Sequence, residues 1–177
     1  GNGVYHIKSF NKFIAISNKL FKKHISLSVS PFVKIDCEYR IIVLKKRVML
    51  IYGKKPPVVI GDGKTSLKDL LLEFNYNYFK NKKVKNYVPK KGEFYNYSFK
   101  FNLSKGAIVT EVKDEKEKLL EIVNDIINKL DINFCSIDIV KTEKTFKVLE
   151  INSGVMINKY IKLVPNGRNI AKEIYKC

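Results

Sequence analysis

Residues 134–154 read FCSIDIVKTEKTFKVLEINSG, two β-rich runs separated by a polar turn near Lys144. Both runs alternate in strand fashion, which predicts an antiparallel hairpin. Alternation places Ser136, Asp138 and Val140 on one face. On the partner strand it places Phe146, Val148, Glu150 and Asn152 together. Asp138 then stands across from Glu150, and like charges so placed destabilise a sheet by up to ~1 kcal/mol. Something has to compensate. A divalent cation with oxygen ligands would do so, with Asn152 adding a neutral oxygen. Ion pairs with nearby lysines would do so equally well, and the residues alone leave both open.

The flanking sequence mixes helix and strand signals. Phe10, Phe13, Ile14, Leu20 and Phe21 fall on one face of a predicted helix. Residues 25–33 read as a strand interrupted at Pro31. Residues 38–44 and 47–52 are β-rich and joined by Lys45-Lys46, a hairpin signal. Ser66 with Asp69 forms a capping box before Leu67, Leu70, Leu71, Phe74 and Tyr78 at helical spacing. A lysine-rich loop to Lys91 leads into an aromatic strand ending near Phe101. Asp114 and Glu117 are expected to cap a helix whose core face is Leu119, Ile122, Val123, Ile126, Ile127 and Leu130. A short helix with Ile170, Ala171, Ile174 and Tyr175 closes the chain. The fold class is α+β, with antiparallel sheets and helices packed on one side.

Gly61-Asp62-Gly63-Lys64-Thr65 has the ending of a phosphate-binding P-loop. That motif needs a glycine five positions before the glycine of its Gly-Lys pair, and Val58 stands there. A tight turn before a capped helix is the better account.

The 177 residues suffice for one domain or two small lobes, and 45% hydrophobic content excludes global disorder. No apolar run approaches the ~18–20 residues of a membrane helix. The first residues show neither the cationic nor the apolar region of a signal peptide. Cys37, Cys135 and Cys177 make no short-spaced pair, which argues against a zinc ribbon or disulfide framework. A reducing, cytoplasmic setting is expected. The net charge of +17 suggests polyanionic partners, yet Arg40, Arg47 and Arg168 are the only arginines among 34 basic residues. The scattered lysines read as a solvated surface. Tyr76, Tyr78, Tyr87, Tyr95 and Tyr97 could stack on bases but suit core and sheet better. His6 and His24 read as structural histidines.

Several segments in order resemble the ATP-grasp ligases, closest in pattern to the ATP-grasp domains of cyanophycin synthetase and bifunctional glutathione synthetase. Gly1-Asn2-Gly3-Val4 resembles the end of their glycine-rich loop. Ser30-Pro31-Phe32-Val33 stands at their adenine hinge, with Ser30 replacing an acidic residue. Glu38-Tyr39-Arg40 matches their Glu-Tyr-Arg, one residue further from the hinge. Residues 52–64 resemble the Tyr-x-Arg/Lys, Pro and Gly-Asp-Gly block. Residues 88–92 and 102–106 are similar to later substrate- and phosphate-side loops. Asp138 and the run Leu149-Glu150-Ile151-Asn152-Ser153-Gly154 match the terminal magnesium site, with Ser136 where relatives carry glycine or arginine.

The resemblance implies an ATP-grasp fold of two small lobes gripping a nucleotide cleft. It implies a carboxylate–amine ligase that phosphorylates a carboxylate with magnesium-ATP (manganese can substitute), after which an amine attacks the acylphosphate. ATP and a small carboxylate plus an amine, an amino acid or peptide, are the implied partners, without a membrane. Gly1, Gly3, Ser30, Pro31, Phe32, Val33, Glu38 and Asn102 are the implied nucleotide contacts, with Glu38 on a ribose hydroxyl. Arg40 and Lys54 would offset developing charge, and Asp138, Glu150 and Asn152 would hold the metal. Residues 1–177 then correspond to a partial ATP-grasp domain, expected to be inactive alone without the upstream lysine-bearing strands and substrate domain. Two other functions compete: a basic nucleic-acid-binding module on the same scaffold, and a catalytically silent nucleotide-binding pseudo-ligase.

Overall fold

Lys45 and Lys46 take left-handed backbone conformations, with φ of 49° and 58°. This two-residue turn folds β1 (Cys37–Leu44) back onto β2 (Arg47–Lys55), pairing Leu44 with Arg47. Primed turns of this kind match the twist of the flanking strands, at a cost of about 1–2 kcal/mol per non-glycine residue. The computed structural model describes residues 3–84 and 86–176. The chain divides into two units, Gly1–Lys34 and Ile35–Cys177.

In the second unit, β3 (Val58–Ile60) pairs with β4 (Phe94–Asn96) in a two-stranded sheet. A five-stranded sheet has the order β5 (Ile108–Thr110), β2, β1, β6 (Phe134–Lys141), β7 (Phe146–Asn152), with antiparallel neighbours throughout. The α-helices among the described residues are α1 (Phe10–Phe21), α2 (Leu67–Phe79), α3 (Lys116–Leu130), α4 (Asn158–Leu163) and α5 (Gly167–Lys176).

Odd-numbered positions of β1 and β6, among them Tyr39, Ile41, Val43, Ile137 and Ile139, bury against Leu119, Val123 and Ile127 of α3. The four-residue spacing of those α3 side chains forms one stripe. Each fully buried aliphatic side chain contributes about 1.5–3 kcal/mol. On the opposite face, Ile42 and Tyr52 pack with Ile157, Tyr160, Ala171 and Ile174, so α4 and α5 cover part of it. Helices on one side thus describes α3 alone. The hydrophobic pattern around α4 is too short to announce a helix. A third cluster joins Val59 of the small sheet to Leu67, Leu71 and Phe79 of α2.

Local signals hold in part. The Ser66 hydroxyl oxygen accepts from the Asp69 amide at 3.2 Å and starts α2 as expected. The Asp62 carboxylate accepts from the Thr65 hydroxyl at 2.6 Å and from the Thr65 and Lys64 amides at 2.7 and 2.8 Å. These bonds, the Thr65 hydroxyl first, draw its pKa down to about 2 and make 61–65 a closed turn. The expected cap of α3 differs. Glu115 stands at the N-cap without a capping bond, because its carboxylate accepts from Lys141 Nζ at 2.7 Å. The aromatic strand before Phe101 is only three residues long.

In the first unit, the Ser9 hydroxyl oxygen accepts from the Lys12 amide at 3.4 Å and α1 follows, without a buried residue. The strand expected over 25–33 does not form. Among the described residues of this unit there is no strand to pair with it, and Pro31 has no amide hydrogen to donate.

Candidate active site

Glu38 and Arg40 of β1, Lys54 of β2 and Asp138 of β6 point away from α3 and carry charge. Arg40 pairs across the sheet with Tyr52 on one side and Asp138 on the other, and Glu38 pairs with Lys54. The Arg40 guanidinium grips Asp138 with both arms: Nε donates to Oδ1 at 2.8 Å and Nη2 to Oδ2 at 2.5 Å. Lys54 Nζ donates to Glu38 Oε1 and, at 3.4 Å, to Asp138 Oδ1. Asp138 is 1% exposed and Lys54 3%. Charges so deep must be paired to stay ionised, and here they are.

The pKa directions follow. Burial pushes the Asp138 carboxyl up, but the Arg40 hydrogen bond, the Lys54 and Arg40 charges and contact with Glu150 outweigh it and hold the group below its ordinary value. The Asp138 hydrogen bond raises Arg40 further, locking it as a cation. Burial lifts the Tyr52 hydroxyl to about 12, partly countered by the adjacent Arg40.

Glu150 stands opposite Asp138 and Asn152 opposite Ser136, the cross-strand register that alternation predicts. The reason differs in one respect. A bulge between Asp138 and Ile139 leaves Leu149 without a partner, so Val148 pairs with Ile139. Phe146 and Val148 therefore lie on the α3 face, opposite to Glu150 and Asn152, and Leu149 is 56% exposed. An extra residue reverses the alternation beyond it, and no residue type in the run announces it.

Compensation for the carboxylate pair comes from Arg40 and Lys54. Neither is a surface lysine, and the Lys54 ammonium is buried rather than solvated. The described residues contain no cluster of three His, Cys, Asp or Glu side chains able to hold a metal. Two carboxylates and an amide nevertheless form an oxygen-only donor set, which suits a hard cation. Oδ1 of Asp138 already accepts from both Arg40 and Lys54, so the acceptor capacity that Asp138 keeps for a cation is on Oδ2, which takes one bond from Arg40. The set fits magnesium in chemistry.

The other expected contacts fall in both units. Gly1 lies outside the described residues. Gly3 has φ of 77°, a left-handed conformation that favours glycine, with open space where a Cβ would stand. Ser30, Pro31, Phe32 and Val33 are exposed in irregular backbone, and the Phe32 ring stacks on His6 at 3.6 Å. Asn102 precedes a 3-10 turn (Leu103–Lys105), and Leu103 packs on the cluster containing Tyr52 and Tyr160. Glu38 holds Lys54, a partner not expected for it.

Residues 88–177 match the model of the RimK-like ATP-grasp domain. The chain belongs to this family. No curated protein matches the sequence. Among solved structures, a bifunctional glutathione synthetase from Pasteurella multocida is similar with TM-score 0.52 at 18% identity, over 82% of this chain and 24% of that one. A D-alanine–D-alanine ligase from Bacillus anthracis has TM-score 0.45 at 11% identity, over 95% of this chain and 48% of that one. The glutathione synthetase likeness shows the fold. This ATP-grasp chain spans about a quarter of that enzyme's length.

Tyr52 is the functional candidate that sequence reading missed. Its signal was its place two residues before Lys54, which puts both on one face of β2. Ser136, 1% exposed, lies on this face too.

Proposed function

We propose that this chain is the ATP-binding part of an ATP-dependent carboxylate–amine ligase. The observation that carries the reading is the largely buried, charge-paired row of Glu38, Lys54, Arg40 and Asp138 on one face of an ATP-grasp sheet, with the exposed Glu150 across from Asp138 on that face. Phosphoryl transfer asks for positioned charge rather than a protein nucleophile. Arg40, fixed by Asp138 and 22% exposed at its side chain, offers donors to a phosphate. Lys54 adds a second cation, oriented by Glu38. The remaining lone pairs of Glu38 can accept from a ribose hydroxyl, and Asn102 contributes a polar group on the phosphate side. Backbone groups of Ser30 to Val33 would meet adenine; Pro31 supplies only a carbonyl acceptor. Asp138, Glu150 and Asn152 would hold magnesium, which supplies charge neutralisation on phosphate oxygens.

In the proposed reaction a carboxylate oxygen of the substrate bonds to the γ-phosphorus as the bond to ADP breaks. An amine then attacks the acyl carbon, loses a proton, and inorganic phosphate leaves. Calorimetry of ATP binding tests the nucleotide site. Affinity is expected to depend on magnesium and to fall several-fold in Glu150→Gln. Binding indifferent to both magnesium and this substitution would overturn the reading. Trapping with hydroxylamine tests the acylphosphate, which would be captured as a hydroxamate.

A further inference from the structure

Beside the charged row a cavity of about 650 Å³ opens among β2, β5, α2 and α4. That volume falls within the range of small-molecule sites. Tyr52 belongs to both places. Its ring lines the cavity and lies 4.6 Å from that of Tyr160, while its hydroxyl is within hydrogen-bonding reach of Arg40.

The wall is shaped by a break in α2. Asn75 has extended backbone (φ −158°, ψ 82°), and its side-chain oxygen accepts from the Tyr78 amide at 3.2 Å to restart the helix. Residues 73–77 all line the cavity as a result. An unbroken helix, with 3.6 residues per turn, cannot present five successive residues to one side.

The charge of the wall runs against that of the chain. Basic residues outnumber acidic ones 34 to 17 overall. Yet no described residue lining the cavity is lysine or arginine, and the charged ones are Glu73 and Glu111. Two lysines touch lining residues: Lys113 Nζ is 3.4 Å from Glu111, and Lys80 Nζ lies 5.7 Å from the Tyr76 ring centroid. The remaining lining is aromatic and aliphatic, with Phe74, Tyr76 and Tyr160 beside Tyr52, apart from the neutral polar Asn75, Asn77 and Thr110. A cation is attracted by aromatic faces as well as by carboxylates. A carboxylate placed here would meet no cation in the wall.

We propose that this cavity binds a primary amine with an apolar body and no acidic group, next to Arg40 and Asp138. If the ligase reading holds, this is the acceptor whose nitrogen attacks the acylphosphate. The inference rests on that reading for its role but not for its binding.

The test titrates 2-phenylethylamine into the chain, with and without magnesium-ATP, followed by calorimetry. Saturable binding is expected. N-acetyl-2-phenylethylamine, which lacks the charge, and phenylalanine, which adds a carboxylate, are each expected to bind at least about fivefold more weakly. Glu73→Gln combined with Glu111→Gln should weaken 2-phenylethylamine by about threefold to tenfold. Leu163 lines the cavity and is 45% exposed, so Leu163→Arg puts a cation there without disturbing the core. It should abolish amine binding and keep magnesium-ATP binding, with an unchanged melting temperature. Absence of saturable amine binding by the intact chain, or equal affinity for the acetylated compound, overturns the proposal. Those results with magnesium-ATP binding retained leave the ligase reading standing. Amine binding without any magnesium-ATP binding has the opposite meaning.

Discussion

The two faces of β1 and β6 are built from alternate residues of the same strands and do opposite work. Tyr39, Ile41, Ile137 and Ile139 face α3 and form a dry apolar core. Glu38, Arg40 and Asp138 face the other way and are also largely buried, but as an ion-paired network. An apolar face needs only volume and shape to be stable. A buried charged face needs every member, because desolvation of each charge is offset only by its partner. The comparison teaches where stability and chemistry separate: the first face can be repacked, the second fails piecemeal.

The sharpest way to break this contrast is Asp138→Asn, which keeps shape and leaves Arg40 and Lys54 with too little negative charge. The expected loss is about 3–5 kcal/mol by chemical denaturation. A loss under about 1 kcal/mol would mean that the network is not the tightly coupled unit described. The same carboxylate has a pH signature. Its pKa is held below the ordinary 3.8, so it contributes stability fully above that value and loses it as pH falls through its folded-state pKa. Unfolding free energy should therefore drop below about pH 4, and that part of the acid dependence should vanish in Asp138→Asn.

On the apolar face, Ile139→Val removes one buried methylene and should cost about 0.5–1.5 kcal/mol with ATP affinity unchanged. A change in magnesium-ATP binding there would show that the two faces are coupled. The smallest expected effect on stability is Glu150→Gln, within about 0.5 kcal/mol, because this side chain is exposed. Its weakening of magnesium-ATP binding should nonetheless be several-fold. Paired melting and calorimetry measurements separate the two effects, and a large fall in melting temperature would place Glu150 in the structural network instead.

Strand and helix identities were legible where the pattern is local. The β1–β2 turn at Lys45-Lys46, the Ser66 cap and the Asp138–Glu150 pairing all follow from residue types and spacing that act over a few positions. What compensates that carboxylate pair was not legible. Arg40 is 98 residues from Asp138 in the chain, and only the β1–β6 pairing brings them together. The same holds for Lys54, whose burial depends on a sheet assembled from three distant segments. Leu149 bulges, Asn75 breaks α2 and 25–33 stays irregular for a shared reason: each outcome depends on neighbours that the local pattern does not contain. The sequence by itself determined the α+β composition, the local turns and the set of oxygen and nitrogen donors. Only the tertiary structure decided which donors meet, because side-chain contact is set by strand register while sequence periodicity fixes no more than the face.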